Sequence, residues 1–179
     1  MAQSDASVSD RPRLDGAARL DASCLVTVET PEILSSPHIG PEAPVQYNSN
    51  PPSSGPHFPV WAAFQEYDKP IDRRYLVHSM EHGAVVISYK CADAGACPQI
   101  AAAREAAAAL PDDPACAGQG ARVRVIIAPD PVIDVPIAVA AWGWVYKAAC
   151  VDAPTLREFV RDHYAKGPED FCSAGQSTF

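Results

Sequence analysis

The chain has 179 residues, 47% of them apolar, which suits one domain with a core of its own. Its formal net charge is −8 and its arginines are scattered, so it lacks the clustered basic surface that phosphate contacts require and is not expected to bind nucleic acid. No stretch approaches the roughly 18–20 consecutive apolar residues of a membrane span, so no transmembrane segment is expected.

The six cysteines, Cys24, Cys91, Cys97, Cys116, Cys150 and Cys172, are even in number and irregularly spaced, with no C-x-x-C among them. That short spacing would mark a thiolate zinc cage or a redox pair. Three disulfides are the better account, and they imply an oxidising, extracytoplasmic setting: periplasmic, cell-surface or secreted. Cys91, Cys97 and Cys116 are expected near one another, and Cys150 near Cys172. No apolar signal precedes Cys24, so the chain reads as a mature form with an added start methionine; the alternative is a cytosolic protein with free thiols.

In chain order, residues 1–22 are polar and free of aromatics, and read as a flexible leader that would serve as a membrane tether in a full-length form. Residues 23–179 read as one domain. Cys24 to Thr30 alternates weakly and suggests a first strand. Pro31 to Pro59 is a long loop with eight prolines, and its apolar exit Phe58-Pro-Val-Trp61 suggests that it is pinned to the core. Ala84 to Tyr89 is the strongest strand, Ile100 to Leu110 an alanine-rich helix ended by Pro111, and Val123 to Ala128 a second buried strand. Ile137 to Tyr146 reads as one longer strand, and Asp152 caps a closing helix with Leu156, Phe159, Val160 and His163 on one face. The order β-α-β-β-α predicts an α/β domain (α+β as the alternative) with a mixed sheet. It also fits the latter part of a thioredoxin-like fold, although no C-x-x-C accompanies it.

Four of the five histidines fall between His38 and His82. His78-Ser-Met-Glu-His82 places two imidazoles four residues apart, on one face of either a helix or a strand. On a helix Glu81 joins them, as in the H-x-x-E-H arrangement where a glutamate activates metal-bound water, making Glu81 the candidate catalytic residue. On a strand Met80 lies between them, and a thioether beside imidazoles suits copper. The extended form is preferred because Gly83 and the β-branched run Val85-Val-Ile87 follow at once. Tyr47-Asn-Ser-Asn-Pro-Pro-Ser-Ser-Gly-Pro-His57 is a loop stiffened by Pro51, Pro52 and Pro56, which can deliver a third imidazole at low entropic cost. Tyr47, Tyr67, Trp61 and Tyr89 are candidates to line the site, with core packing the commoner role for such aromatics.

The segments 47–57, Leu-Val-His-Ser-Met-Glu-His-Gly-Ala-Val-Val-Ile (76–87) and Pro-Ile-Ala-Val-Ala-Ala-Trp-Gly (136–143) resemble a bacterial family known as domain of unknown function 3105. His38, Phe159 and Gly167-Pro-Glu169 also match, so the resemblance runs from about His38 to Glu169. It implies an exported or membrane-attached domain and supplies no activity.

These readings converge on an extracytoplasmic transition-metal-binding domain. Its expected ligands are His57, His78 and His82, with His38 as a fourth and Met80 as the thioether candidate; the ion is copper, with zinc as the alternative. An open coordination position would make it a metal-dependent oxidoreductase or hydrolase acting on a small molecule. The rival is a non-metal module docking a partner protein or small ligand through the histidine and proline loop.

Overall fold

The computed structural model describes residues 24–91 and 97–179; the expected leader, residues 1–22, lies outside them. Five strands form one mixed sheet: β1 (Val26–Glu29), β2 (Val85–Tyr89), β3 (Val125–Pro129), β4 (Ile137–Ala141) and β5 (Trp144–Ala148), in the order β1-β5-β4-β2-β3. β2 and β3 run parallel, joined through the helix α2 (Pro98–Ala108). The other neighbours are antiparallel. The α/β expectation with a mixed sheet therefore holds.

The strands β2 and β4 are buried at every position, because both faces of the sheet are covered. One face carries Val85, Ile87, Val125, Ile127 and Val139 against α2 and α3 (Ala153–His163). The other carries Val86, Ile126, Ala128 and Ala140 against α1 (Arg73–Glu81) and the segment around Ala62, Phe64, Tyr67 and Ile71. Alternate residues of each strand thus serve two different cores.

Three expectations need correction. Ile137 to Tyr146 is two strands, not one: the chain reverses at Trp142 and Gly143, where Gly143 has φ +75° and Ala141 pairs with Trp144. The apolar alternation continues on both sides of the turn, so it hid the break. The cysteines pair as Cys24–Cys150, Cys91–Cys97 and Cys116–Cys172. Three disulfides form, but Cys150 goes to Cys24, because the β1–β5 register that sets Val26 opposite Ala148 sets Cys24 opposite Cys150 when continued two residues. Cys116 joins Cys172 of the C-terminal segment, not the cysteines flanking α2.

The third correction concerns the histidine pair. Arg73 to Glu81 is helical, started by Asp72, whose carboxylate accepts from the Arg74 amide. Gly83 is the residue that ends this helix rather than a sign of strand: its φ is +84° and its amide bonds back to the Met80 carbonyl at 2.9 Å. A Cβ there would meet the Arg124 guanidinium at 2.9 Å and the Ala165 backbone at 3.0 Å. The strand Val85–Tyr89 begins only after that turn.

Candidate metal centre

The loop and α1 are drawn together by backbone bonding. His38 and His57 form a parallel bridge, with the Ile39 amide donating to the His57 carbonyl at 2.8 Å and the His57 amide to Pro37 at 3.2 Å. The Phe58 amide donates to the Arg74 carbonyl at 3.3 Å, which seats the loop exit against the start of the helix. The Arg74 guanidinium lies over the Phe58 ring, 4.0 Å from its centroid. The Tyr47 hydroxyl donates to Pro56 at 2.8 Å and braces the proline turn from behind.

The result is a group of four potential donors, His38, His57, His78 and Glu81, whose ligand atoms all lie within 4.8 Å of one another. The three imidazole centroids are 4.7–5.1 Å apart. His57 and His78 are buried, Glu81 is partly covered, and His38 is exposed, so the group faces solvent on the His38 side.

Each buried imidazole is held by its far nitrogen. The Nδ1 of His57 lies 2.9 Å from the Gly55 carbonyl, and that of His78 lies 2.6 Å from the Phe58 carbonyl. A carbonyl only accepts, so in both rings Nδ1 carries a hydrogen and Nε2 is the nitrogen presented to the group. This is the support that orients metal-binding histidines. The Nε2 of His57 has no hydrogen-bond partner among the described residues, yet it stands 3.1 Å from the Glu81 carboxylate. A buried ring nitrogen facing a carboxylate oxygen requires a proton or a cation between or beside them.

Electrostatics favour the neutral form of His78 and of His82. Burial, with the neighbouring His57 and His38 adding to it, lowers the His78 pKa to about 4. Burial again, with His78, His57 and the Arg124 charge, lowers that of His82 to about 3. Burial raises Glu81, and the charge of Glu169 pushes the same way.

The sequence-predicted residues divide as follows. His38, His57 and His78 converge, and Glu81 completes the group in the place expected of His82. His82 stands one turn on from His78, its centroid 4.6 Å away, and its Nε2 turns to Glu169 at 3.2 Å. Its ring packs on Trp61 at 4.5 Å and Phe171 at 4.0 Å. Met80 does not face the group: the helix directs it into the core with Leu76, Val77 and Ile126, where it is 1% exposed. The extended arrangement that would have offered its sulfur does not occur.

Of the candidate aromatics, Trp61 lies by the site, 5.3 Å from His78. Tyr67 is in the core beside Ile71, and Tyr89 is on the opposite face of the sheet. Nothing in the sequence pointed to a role for Phe171 or Arg124 beside the histidines, and Glu169 showed only as the end of a motif. Gly167 packs so closely on the carbonyls of Met80 and Glu81 that no Cβ fits there. The Glu169 amide donates to the Glu81 carbonyl at 2.9 Å. Arg124 donates to the His82 carbonyl at 2.9 Å and to Asp113 at 2.9 Å. The Gly-Pro-Glu triplet was visible as a motif, but its contact with α1 spans more than eighty residues of chain.

The chain matches the family described as Protein of unknown function (DUF3105) over residues 38–175. Neither a curated protein nor a solved structure matches it significantly. The matched range begins at His38 and includes every residue of the four-donor group and the segment that closes on it. On that extent of the sequence, the chain belongs to this family.

Proposed function

We propose that this protein binds one transition-metal ion in an extracytoplasmic compartment, through His38, His57, His78 and Glu81. The observation that carries the reading is the convergence of four donor atoms within 4.8 Å, two of them on buried imidazoles already oriented by backbone carbonyls. Donors sharing an ion at bonds of about 2.0–2.1 Å stand about 3–4 Å apart, so small side-chain rotations suffice to close the group. The three disulfides are what an oxidising compartment permits, and no helix among the described residues is long and apolar enough to cross a membrane.

The donor set is three nitrogens and one carboxylate, which suits copper(II) or zinc(II), and the general affinity order places copper ahead. The exposed His38 side is where an exchanging water or small molecule would reach the ion, the condition for any metal-dependent chemistry. In that case Glu81 acts as a ligand and not as a free base.

The test is direct. Protein stripped with chelator, loaded with copper or zinc and desalted at neutral pH should retain about one ion per chain. His57→Ala should retain none. Wild-type protein that holds neither metal above background would overturn the reading in favour of a non-metal docking module.

A further inference from the structure

β2 is the strand at which the sheet changes sense, with β3 parallel on one side and β4 antiparallel on the other. The metal centre lies at the amino end of this strand, where α1 leads into it. At the carboxyl end of β2 stand Cys91 and, at the start of α2, Cys97, joined by a disulfide.

Cys97 is the N-cap of an eleven-residue helix whose first turn carries no acidic residue. The helix dipole favours negative charge at that position, and thiolates placed there form at lower pH than free ones. The Oε1 of Gln99 lies 3.5 Å from both sulfurs. Once the bond is opened, that amide can accept from either thiol or turn its NH2 to a thiolate. Both cysteines are only half-buried.

The three disulfides differ in what they hold. Cys24–Cys150 and Cys116–Cys172 span 126 and 56 residues, and tie the edge strand and the C-terminal segment to the fold. Cys91–Cys97 spans 6. The elements on either side of it are fixed independently, β2 by its two ladders and α2 by Ala102, Ala103 and Ala106 in the core. The fold is therefore held in place whether this bond is open or closed, which a redox pair requires and a long-range staple does not provide.

We infer that Cys91 and Cys97 form a second functional site, a redox pair that exchanges with disulfides and dithiols of a thiol-bearing partner. In the reduced pair, the Cys97 thiolate attacks one sulfur of the partner disulfide, forming a mixed disulfide and releasing one partner thiolate. The Cys91 thiolate then attacks the Cys97 sulfur, closes the Cys91–Cys97 bond and releases the second partner thiolate. Two electrons pass to the partner, and the two thiol protons end on its two thiols. A partner dithiol runs the sequence backwards.

The experiment uses full-length, chelator-treated protein equilibrated in glutathione buffers of graded thiol-to-disulfide ratio, then alkylated and mapped by peptide mass spectrometry. Cys91–Cys97 should open while Cys24–Cys150 and Cys116–Cys172 stay closed. In the opened protein, Cys97 should alkylate at pH 7 at least about tenfold faster than Cys91, with a rate midpoint below the ordinary thiol value of about 8.5. Gln99→Glu should slow Cys97 severalfold while leaving the circular dichroism unchanged. If Cys91–Cys97 opens only together with the other two bonds, or if its two thiols alkylate at equal rates, the pair is a structural staple and the inference fails.

Discussion

His57 and Glu81 meet at 3.1 Å, imidazole Nε2 to carboxylate oxygen, with the imidazole fully buried. One comes from a proline-stiffened loop and the other from the last turn of α1, twenty-four positions further along the chain. The Nδ1 hydrogen of His57 is committed to the Gly55 carbonyl, so this approach is prepared for a shared positive charge. Several consequences can be measured.

Ligand rank should follow geometry. Replacing His57 or His78 by alanine should abolish stoichiometric copper or zinc binding, since each supplies a buried, oriented nitrogen. His82→Gln should keep one ion per chain and weaken affinity by about 10–100-fold, the usual cost of losing an outer partner of a metal site. Isothermal titration on the three variants checks the order; loss of binding in the His82 variant equal to that in the His57 variant would place His82 among the ligands.

Met80 and Glu81, adjacent in sequence, should separate cleanly. Met80→Ala empties a fully buried core position and should cost about 2–5 kcal/mol of stability by urea unfolding. It should leave the copper visible and EPR spectra unchanged. Glu81→Gln should alter those spectra, because it replaces the carboxylate of the four-donor group, while costing far less stability.

Asp113 should shape the acid limb of stability. Burial pushes its carboxyl up, but the Tyr164 hydroxyl, the Ala115 amide and the Arg124 guanidinium outweigh that and hold it below the ordinary carboxylate range. Its folded pKa is depressed, so its contribution is present above the unfolded value of about 3.9 and is lost as pH falls through the folded one. Asp113→Asn leaves Arg124, whose side chain is 3% exposed, with only the exposed Asp170 carboxylate as counter-charge and should cost about 2 kcal/mol at pH 7. The difference from wild type should shrink as pH is lowered below about 4. Urea titrations at a series of pH values read both effects, and a variant within about 0.5 kcal/mol of wild type at pH 7 would contradict the account.

Gly83 should tolerate no side chain. A left-handed conformation costs other residues about 1–2 kcal/mol, and here the added Cβ also presses on Arg124 and Ala165. Gly83→Ala should therefore destabilise by more than that conformational cost in thermal or urea unfolding. It should also lower metal affinity, because the same turn sets the end of α1 and hence Glu81. A stable variant with unchanged affinity would show that the turn does not position the site.

Local pattern alone determined much of this protein. The β-branched run after Gly83, the alanine-rich stretch behind Pro98 and the Asp152 cap each specify an element through interactions within a few residues, and each is found as an element of the fold. The grouping of His57 with His78 was likewise legible, since histidines this concentrated beside a stiff loop are uncommon in a packed core. What tertiary structure decided was direction and partnership. Residues His78 to His82 suit a helix or a strand equally by spacing, and only the closure of Gly83 against Arg124 and Ala165 selects the helix. That choice sends Met80 into the core and Glu81 to the histidines. Cys150 could meet Cys24 only through the β1–β5 register, and Glu169 could reach His82 only because Gly167 lets the returning backbone lie on the end of α1. These contacts join positions remote in the chain, so no local period encodes them; the physical cause is the packing of two layers on a sheet whose strands are covered on both sides.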